Sequence, residues 1–216
     1  MFSVIILGGG KGERLKLGYN KVLYKIKGKT LLEYAADKFI NDKDFSEIII
    51  VIDETNINTI NKIFTDKKIK IVLGGINRQT SVYNGLKMVT NNFVIIHDGA
   101  RPNVGLDEIQ KIKENVKKGP CTLYTSVKEA TVEMKNNIIK GYINRDKIAL
   151  IKTPQGFKTT EIKTAYKLAN ENKKQYTDDA SLLFYEMNKE VKLINGNENN
   201  IKVTTEFDLN IMEDLL

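Results

Sequence analysis

The sequence predicts an α/β fold: a mostly parallel sheet with helices on both faces, in a single domain over residues 1–216 that carries a projecting β-arm. Three observations point there. Short, unbroken runs of β-branched residues alternate with stretches of helical periodicity as far as Pro120. Beyond it, strand-like segments follow one another closely around an Asn-Asn pair. The composition, 216 residues with 41% hydrophobic and 28% charged side chains and three prolines, suits one folded unit with a sizeable core.

The elements follow in order. Ser3 to Leu7, Ile48 to Ile52, Ile69 to Leu73 and Phe93 to Ile96 read as strands buried on both faces, because a strand with one wet face would alternate apolar with polar residues. Leu31 to Phe39, Ile57 to Phe64, Ser81 to Met88 and Leu106 to Val116 repeat apolar residues at helical spacing. After Pro120, Thr122 to Val127, Thr131 to Met134 and Ile138 to Ile143 are strand-like, with Asn136-Asn137 suited to the turn between the last two. Residues 128–152 are expected to form the arm. Helical patterns return at Thr160 to Asn170 and Asp179 to Met187, Val191 to Ile194 is strand-like, and a last helix begins near Glu206. Thr205-Glu206-Phe207-Asp208 has the spacing of a capping box for it.

Several classes fall away. No apolar stretch approaches the roughly 18 residues of a membrane span, and the first residues lack the basic start of a signal peptide, so the mature chain is expected to begin at Met1, with no membrane partner. The net charge of +7 suits an anionic partner, but no basic run is interleaved with aromatics, so nucleic acid is not expected. The single cysteine, Cys121, cannot form an internal disulfide and sits in an apolar run, as a core thiol in a reducing cytoplasm would. With one histidine, His97, there is no zinc-type cluster.

In an open parallel sheet, ligands bind beyond the carboxyl ends of the strands. After the first strand, Leu7 leads into Gly8-Gly9-Gly10-Lys11-Gly12-Glu13-Arg14, where missing side chains let backbone N–H groups approach phosphate oxygens. No Gly-Lys-Ser/Thr closes a P-loop, and Glu13 stands where the dinucleotide fingerprint needs glycine. Lys21 follows. After the third strand, Gly74-Gly75-Ile76-Asn77-Arg78-Gln79-Thr80-Ser81 opens a helix whose first turn carries Arg78 and Ser81. After the fourth, His97-Asp98-Gly99-Ala100-Arg101-Pro102 offers Asp98 either to a divalent cation or to an ion pair with Arg101.

Seven ordered motifs spanning residues 4–209 together resemble the 2-C-methyl-D-erythritol 4-phosphate cytidylyltransferase family. They are Gly10-x-Gly12-x-Arg14, Lys21, Gly74-Gly75-x-x-Arg78-x-x-Ser81-Val82-x-x-Gly85-Leu86, His97-Asp98-x-Ala100-Arg101-Pro102, Thr153-Pro154-Gln155-x-Phe157, Thr177-Asp178-Asp179-Ala180 and Asn200-Ile201-Lys202-Val203-Thr204. The resemblance implies a mononucleotide-binding, Rossmann-like fold of the nucleotide-diphospho-sugar transferase type that moves CMP from CTP to a sugar-alcohol phosphate, with Mg²⁺. It implies Arg14, Lys21 and Lys202 as catalytic cations. Leu7, Gly8, Gly9, Gly10, Gly12, Gly75, Arg78, Ser81 and Asp98 would bind CTP, with Asp98 also near the metal. Arg101, Thr131, Arg145 and Thr153 would hold the alcohol phosphate, Thr131 and Arg145 through an arm exchanged within a homodimer. Cytidylyltransferases acting on ribitol 5-phosphate share most of these motifs, and an enzyme for ribitol 5-phosphate or another polyol phosphate is the alternative. A nucleotide- or RNA-binding protein without turnover is the alternative of another class.

Four positions depart from the family pattern: Asn20 replaces a proline, Ala130 an acid, Glu133 a base and Lys152 a glutamine. Asn20 is expected to loosen the turn that places Lys21.

Overall fold

In the computed structural model, which describes residues 1–10, 15 and 17–216, the first half alternates strand and helix: β1 (Phe2–Leu7), the short hairpin β2 (Lys25–Ile26) and β3 (Lys29–Thr30), α1 (Leu31–Ile40), β4 (Phe45–Ile52), α2 (Ile57–Ile63), β5 (Ile69–Leu73), α3 (Arg78–Lys87), β6 (Phe93–Asp98) and α4 (Leu106–Val116). The second half holds β7 (Cys121–Ser126), β8 (Thr131–Lys135), β9 (Ile138–Ile143), β10 (Ala149–Lys158), α5 (Thr159–Glu171), α6 (Asp179–Met187), β11 (Lys192–Asn195) and α7 (Glu206–Leu215). Seven strands form one sheet in the order β11-β7-β10-β6-β1-β4-β5. All its pairings are parallel except the two made by β10.

The apolar runs build two cores at once. Val4 and Ile6 of β1 and Ile48, Ile50 and Ile52 of β4 pack with α1, α2 and α4 on one face. Ile5, Ile49 and Val51 point the other way, to α3, α5 and α6. Every one of these eight side chains is fully buried, which is why the strands show no polar alternation. The fold class read from the sequence is the one observed. β5 departs from its reading as a doubly buried strand: among the described residues no strand pairs beyond it in this sheet, and its side chains are half-buried, with Leu73 exposed.

Helix starts follow capping chemistry. Thr30 with Glu33, Asn77 with Thr80, Asp178 with Ser181 and Thr205 with Asp208 form capping boxes for α1, α3, α6 and α7. The Asn136-Asn137 turn joins β8 to β9 with both residues in the left-handed region, at φ of 52° and 60°, as a two-residue hairpin requires.

β10 is the strand the sequence reading left out. Its first residues, Ala149 to Lys152, fall inside the segment assigned to the arm, yet they pair with β7 in the main sheet. Pro154 has no N–H for a ladder, and the pairing with β7 shifts register between Lys152 and Gln155. Gly156 is needed because a Cβ there would lie 2.9 Å from Cγ2 of Ile112 on α4. A proline and a glycine in a strand interior conceal it from pattern reading. Among the described residues no helix is long and apolar enough to cross a membrane.

Candidate active site

The site is built at the carboxyl ends of β1, β4 and β6. Gly8 leaves β1 with its N–H on the Val51 carbonyl at 2.7 Å, and a Cβ there would sit 2.9 Å from Cδ1 of Ile52. Asn20 fastens the returning chain: its Nδ2 donates to Gly8 O at 2.6 Å and to Asp53 Oδ2 at 2.8 Å, while its Oδ1 accepts from Val22 N at 3.2 Å. The expected loosening does not occur, because hydrogen bonds do here what a fixed φ does elsewhere. Asn20 caps a buried 3-10 turn, Lys21–Leu23, that carries Lys21 beneath the glycine segment, with Cε 4.0 Å from where a Cβ on Gly10 would lie. Lys21 Nζ donates to Val203 O at 2.6 Å. Gly12 and Arg14 lie outside the described residues.

Asp98 ends β6 as a buried carboxylate ringed by cations. Lys202 Nζ is 2.9 Å from Oδ2, Arg101 Nε is 3.5 Å from the same oxygen, and Arg78 Nε is 3.4 Å from Oδ1. Burial pushes the Asp98 carboxyl up, but Arg78, Lys202 and Arg101 together outweigh it and hold it well below the usual carboxylate range. The ion pair with Arg101 therefore exists, as one of three.

Beneath it, His97 and Thr153 lock the strand end. Asp98 N donates to Thr153 Oγ1 at 3.0 Å, Thr153 Oγ1 is 3.0 Å from His97 Nδ1, and His97 Nε2 is 3.1 Å from Arg101 O. A carbonyl only accepts, so Nε2 carries the proton and Nδ1 accepts from the threonine hydroxyl. Burial lowers the His97 pKa to about 4, consistent with this neutral tautomer.

The Gly74-Gly75 turn rests on the start of α3. Gly74 N donates to Ile52 O at 2.8 Å, Gly75 N donates to Ser81 Oγ at 3.0 Å, and Ser81 Oγ donates to Asn77 O at 2.8 Å. Ser81 thus keeps one lone pair for a further donor. A side chain at Gly75 would collide with Thr80.

The family model described as "IspD: 2-C-methyl-D-erythritol 4-phosphate cytidylyltransferase" matches residues 2–216. The chain belongs to this family. It is 36% identical over 220 residues to the 2-C-methyl-D-erythritol 4-phosphate cytidylyltransferase of Thermosipho africanus, covering 98% of this chain and 96% of the relative. The Clostridioides difficile protein of the same name is 35% identical, covering 100% and 94%. The solved structure of 4-diphosphocytidyl-2C-methyl-D-erythritol synthase from Anaerococcus prevotii superposes with a TM-score of 0.89 at 28% identity, over 100% of this chain and 95% of that one. The Francisella tularensis cytidylyltransferase superposes with 0.85 at 29%, over 100% and 99%.

Of the residues marked by the cytidylyltransferase motifs, the fold brings Lys21, Arg78, Asp98, Arg101, Thr153 and Lys202 into one neighbourhood of hydrogen bonds and ion pairs, with Lys21 joined through Val203. Thr131 and Arg145 stand apart, in the arm: Thr131 Oγ1 is 3.4 Å from Glu129 O, and Arg145 Nη1 donates to Lys128 O at 2.6 Å. Neither belongs to the Asp98 cluster of its own chain.

Residues to which the motifs assigned no role hold the loop before α7. Buried Glu108 accepts from Asn197 N at 2.7 Å and Asn200 Nδ2 at 3.3 Å through one oxygen, and from Gly105 N at 2.8 Å through the other. The Asn200 carbonyl accepts from Arg101 Nη1 at 2.9 Å and Lys152 Nζ at 3.0 Å. Val203 N donates to Ala100 O at 2.8 Å, so the loop carrying Lys202 is tied down on both sides of it. Gln155 ties β10 to α6, donating to Asp178 Oδ2 at 2.7 Å and accepting from Ala180 N at 3.1 Å. Only an unusual density of Asn and Gly at residues 195–200 hinted at such a loop.

A metal cage of the protein's own is not built: among the described residues no three of His, Cys, Asp and Glu gather, and both Asp98 oxygens already face cations. One buried carboxylate at a strand end does fit a divalent ion that arrives coordinated by a polyphosphate.

Proposed function

We propose that the chain transfers CMP from CTP to 2-C-methyl-D-erythritol 4-phosphate, forming the CDP-alcohol and pyrophosphate, a step towards isoprenoid precursors. The observation that carries the reading is the convergence of Lys21, Arg78, Arg101 and Lys202, from four separate chain segments, on one strand-end site in a chain that matches the family from residue 2 to residue 216.

An oxygen of the acceptor phosphate attacks the α-phosphorus of CTP, and the bond to pyrophosphate breaks. The attacking group is already an anion, so no general base is needed, and His97, buried and bonded on both nitrogens, is in no position to act as one. Lys21, Lys202 and Arg14 would neutralise charge that grows on the transferring group and leaving pyrophosphate. The Gly74-Gly75 turn and the remaining Ser81 lone pair would meet the amino edge of cytosine, while Leu7, Gly8, Gly9, Gly10 and Gly12 would bind the triphosphate. Mg²⁺ bound to the triphosphate, with Asp98 as its one protein carboxylate, would supply further charge neutralisation.

Arg101 and Thr153 would hold the acceptor phosphate, and Thr131 and Arg145 would reach it from a second subunit. Exposed Met134, Ile138, Ile139 and Tyr142 on the β8–β9 hairpin support that homodimer, since isolated arms seldom present so many apolar side chains to water. A cytoplasmic setting is supported by cysteine usage: the single cysteine, Cys121, is free and buried, with no partner in the chain for a disulfide. Phosphorus NMR of CTP mixed with the acceptor tests the reaction: pyrophosphate and a new diphosphodiester should appear in equal amounts, and release of orthophosphate instead would contradict it.

A further inference from the structure

Arg78 lies between two buried carboxylates. Its Nε is 3.4 Å from Asp98 Oδ1, and its Nη2 is 2.7 Å from Asp179 Oδ2. The closer contact is the one to Asp179. Asp179 is fully buried in the first turn of α6, and its Oδ1 accepts from the hydroxyl of Tyr166 on α5. Tyr166 in turn stacks on Tyr83 of α3, at 6.3 Å between ring centroids, so three helices meet around this carboxylate.

The arrangement decides how charge is shared at Asp98. Three cations compete there for two oxygens. A guanidinium with no other partner turns its planar fork onto both oxygens of a carboxylate. Arg78 would then cover the Oδ2 that Lys202 holds at 2.9 Å. With Nη2 gripped by Asp179, Nε is the atom that reaches Asp98, and the Arg78 side chain remains partly open to solvent.

We propose that Asp179 is a positioning residue for the nucleotide site, holding Arg78 edge-on so that Asp98 remains shared with Lys202 and the guanidinium remains available to CTP. The inference rests on the reading of Arg78 as a CTP-binding residue. Tyr166 fixes Asp179 in the same way that Asp179 fixes Arg78.

The test is a double-mutant cycle on the full chain, with CTP affinity measured by calorimetry and KM for each substrate measured by pyrophosphate release. Asp179→Asn should weaken CTP about tenfold, the coupling typical of a shared hydrogen-bond network, and leave KM for the alcohol phosphate within about twofold. Arg78→Gln should weaken CTP at least as much, and adding Asp179→Asn to it should cost nothing further. Tyr166→Phe keeps every charge and guards against misfolding of the buried variant: it should weaken CTP in the native background and not beside Arg78→Gln. Costs that multiply, or a Tyr166→Phe effect equal in both backgrounds, would overturn the proposal alone. Unchanged CTP affinity in Arg78→Gln would overturn the reading of Arg78 and the proposal with it.

Discussion

Lys21 Nζ donates to the carbonyl oxygen of Val203 at 2.6 Å, across 182 residues of chain, and Val203 is the residue after Lys202. That bond brings a lysine from the first glycine turn and a lysine from the last loop to one place. It also gives Lys21 a direction, beneath Gly10 and towards the loop end of the sheet.

From it follows the expectation for the two lysines. Lys21→Ala and Lys202→Ala should each lower turnover about a hundredfold or more while weakening CTP binding far less, because a fixed ammonium meets more charge in the transition state than in bound CTP. Steady-state rates at saturating CTP, beside a binding titration, separate the two effects. A variant that keeps more than about a tenth of the native rate, roughly 1.4 kcal/mol of barrier, does not lack a catalytic cation.

Asn20 should prove structural for Lys21. Asn20→Ala removes two donated hydrogen bonds and the cap of the Lys21–Leu23 turn, leaving Gly8 O and Asp53 without that donor. The expected loss is about 1–3 kcal/mol in chemical denaturation, with reduced turnover. The backbone of Asn20, at φ −64°, already suits proline, so Asn20→Pro should retain more activity than Asn20→Ala. Equal activity in the two variants would mean that the turn does not place Lys21.

His97 should make the fold sensitive to mild acid. The unfolded chain takes up a proton on His97 near its ordinary pKa of 6.5, while the folded protein keeps it neutral down to about 4 because of burial. Between those values the unfolded state binds more protons, so stability is full above about pH 6.5 and falls as the pH drops towards 4, by roughly 3 kcal/mol at most. Denaturation midpoints from pH 7 to pH 4 should show that slope, and His97→Gln should flatten it. An unchanged slope in the variant would assign it to other groups.

Strand and helix were legible wherever one period ruled a whole segment, as in Val4 to Leu7 or Leu106 to Val116, because burial on two faces or one stripe leaves a pattern in the residues themselves. β10 escaped because its inner positions answer to neighbours: Gly156 to α4 and Gln155 to α6. The cations could be chosen from their motifs, but their fasteners could not. Asn20 looks like a weakened turn until its partners Gly8 and Asp53 are in place, and Asp179 looks like an ordinary first-turn acid beside its capping neighbour Asp178 until Arg78 and Tyr166 reach it. Such residues act through contacts distant in sequence, which no local spacing records.

Base selection should be strong. Gly75 N–H and Asn77 O fix the Ser81 hydroxyl, so its free lone pair points in one direction, and a site built to accept from the cytosine amino group leaves that acceptor unpaired against uracil. kcat/KM for CTP should exceed that for UTP by at least ~100-fold. Similar values would show that the turn does not read the base.

The most direct measurement is the rate of pyrophosphate release from CTP and Mg²⁺ with 2-C-methyl-D-erythritol 4-phosphate and, separately, with ribitol 5-phosphate, each repeated in excess chelator. Rapid release with the methylerythritol phosphate, little with the ribitol phosphate and none in chelator is the expected result. Release with ribitol 5-phosphate alone, or with neither acceptor, would contradict the assignment of this chain as a methylerythritol phosphate cytidylyltransferase.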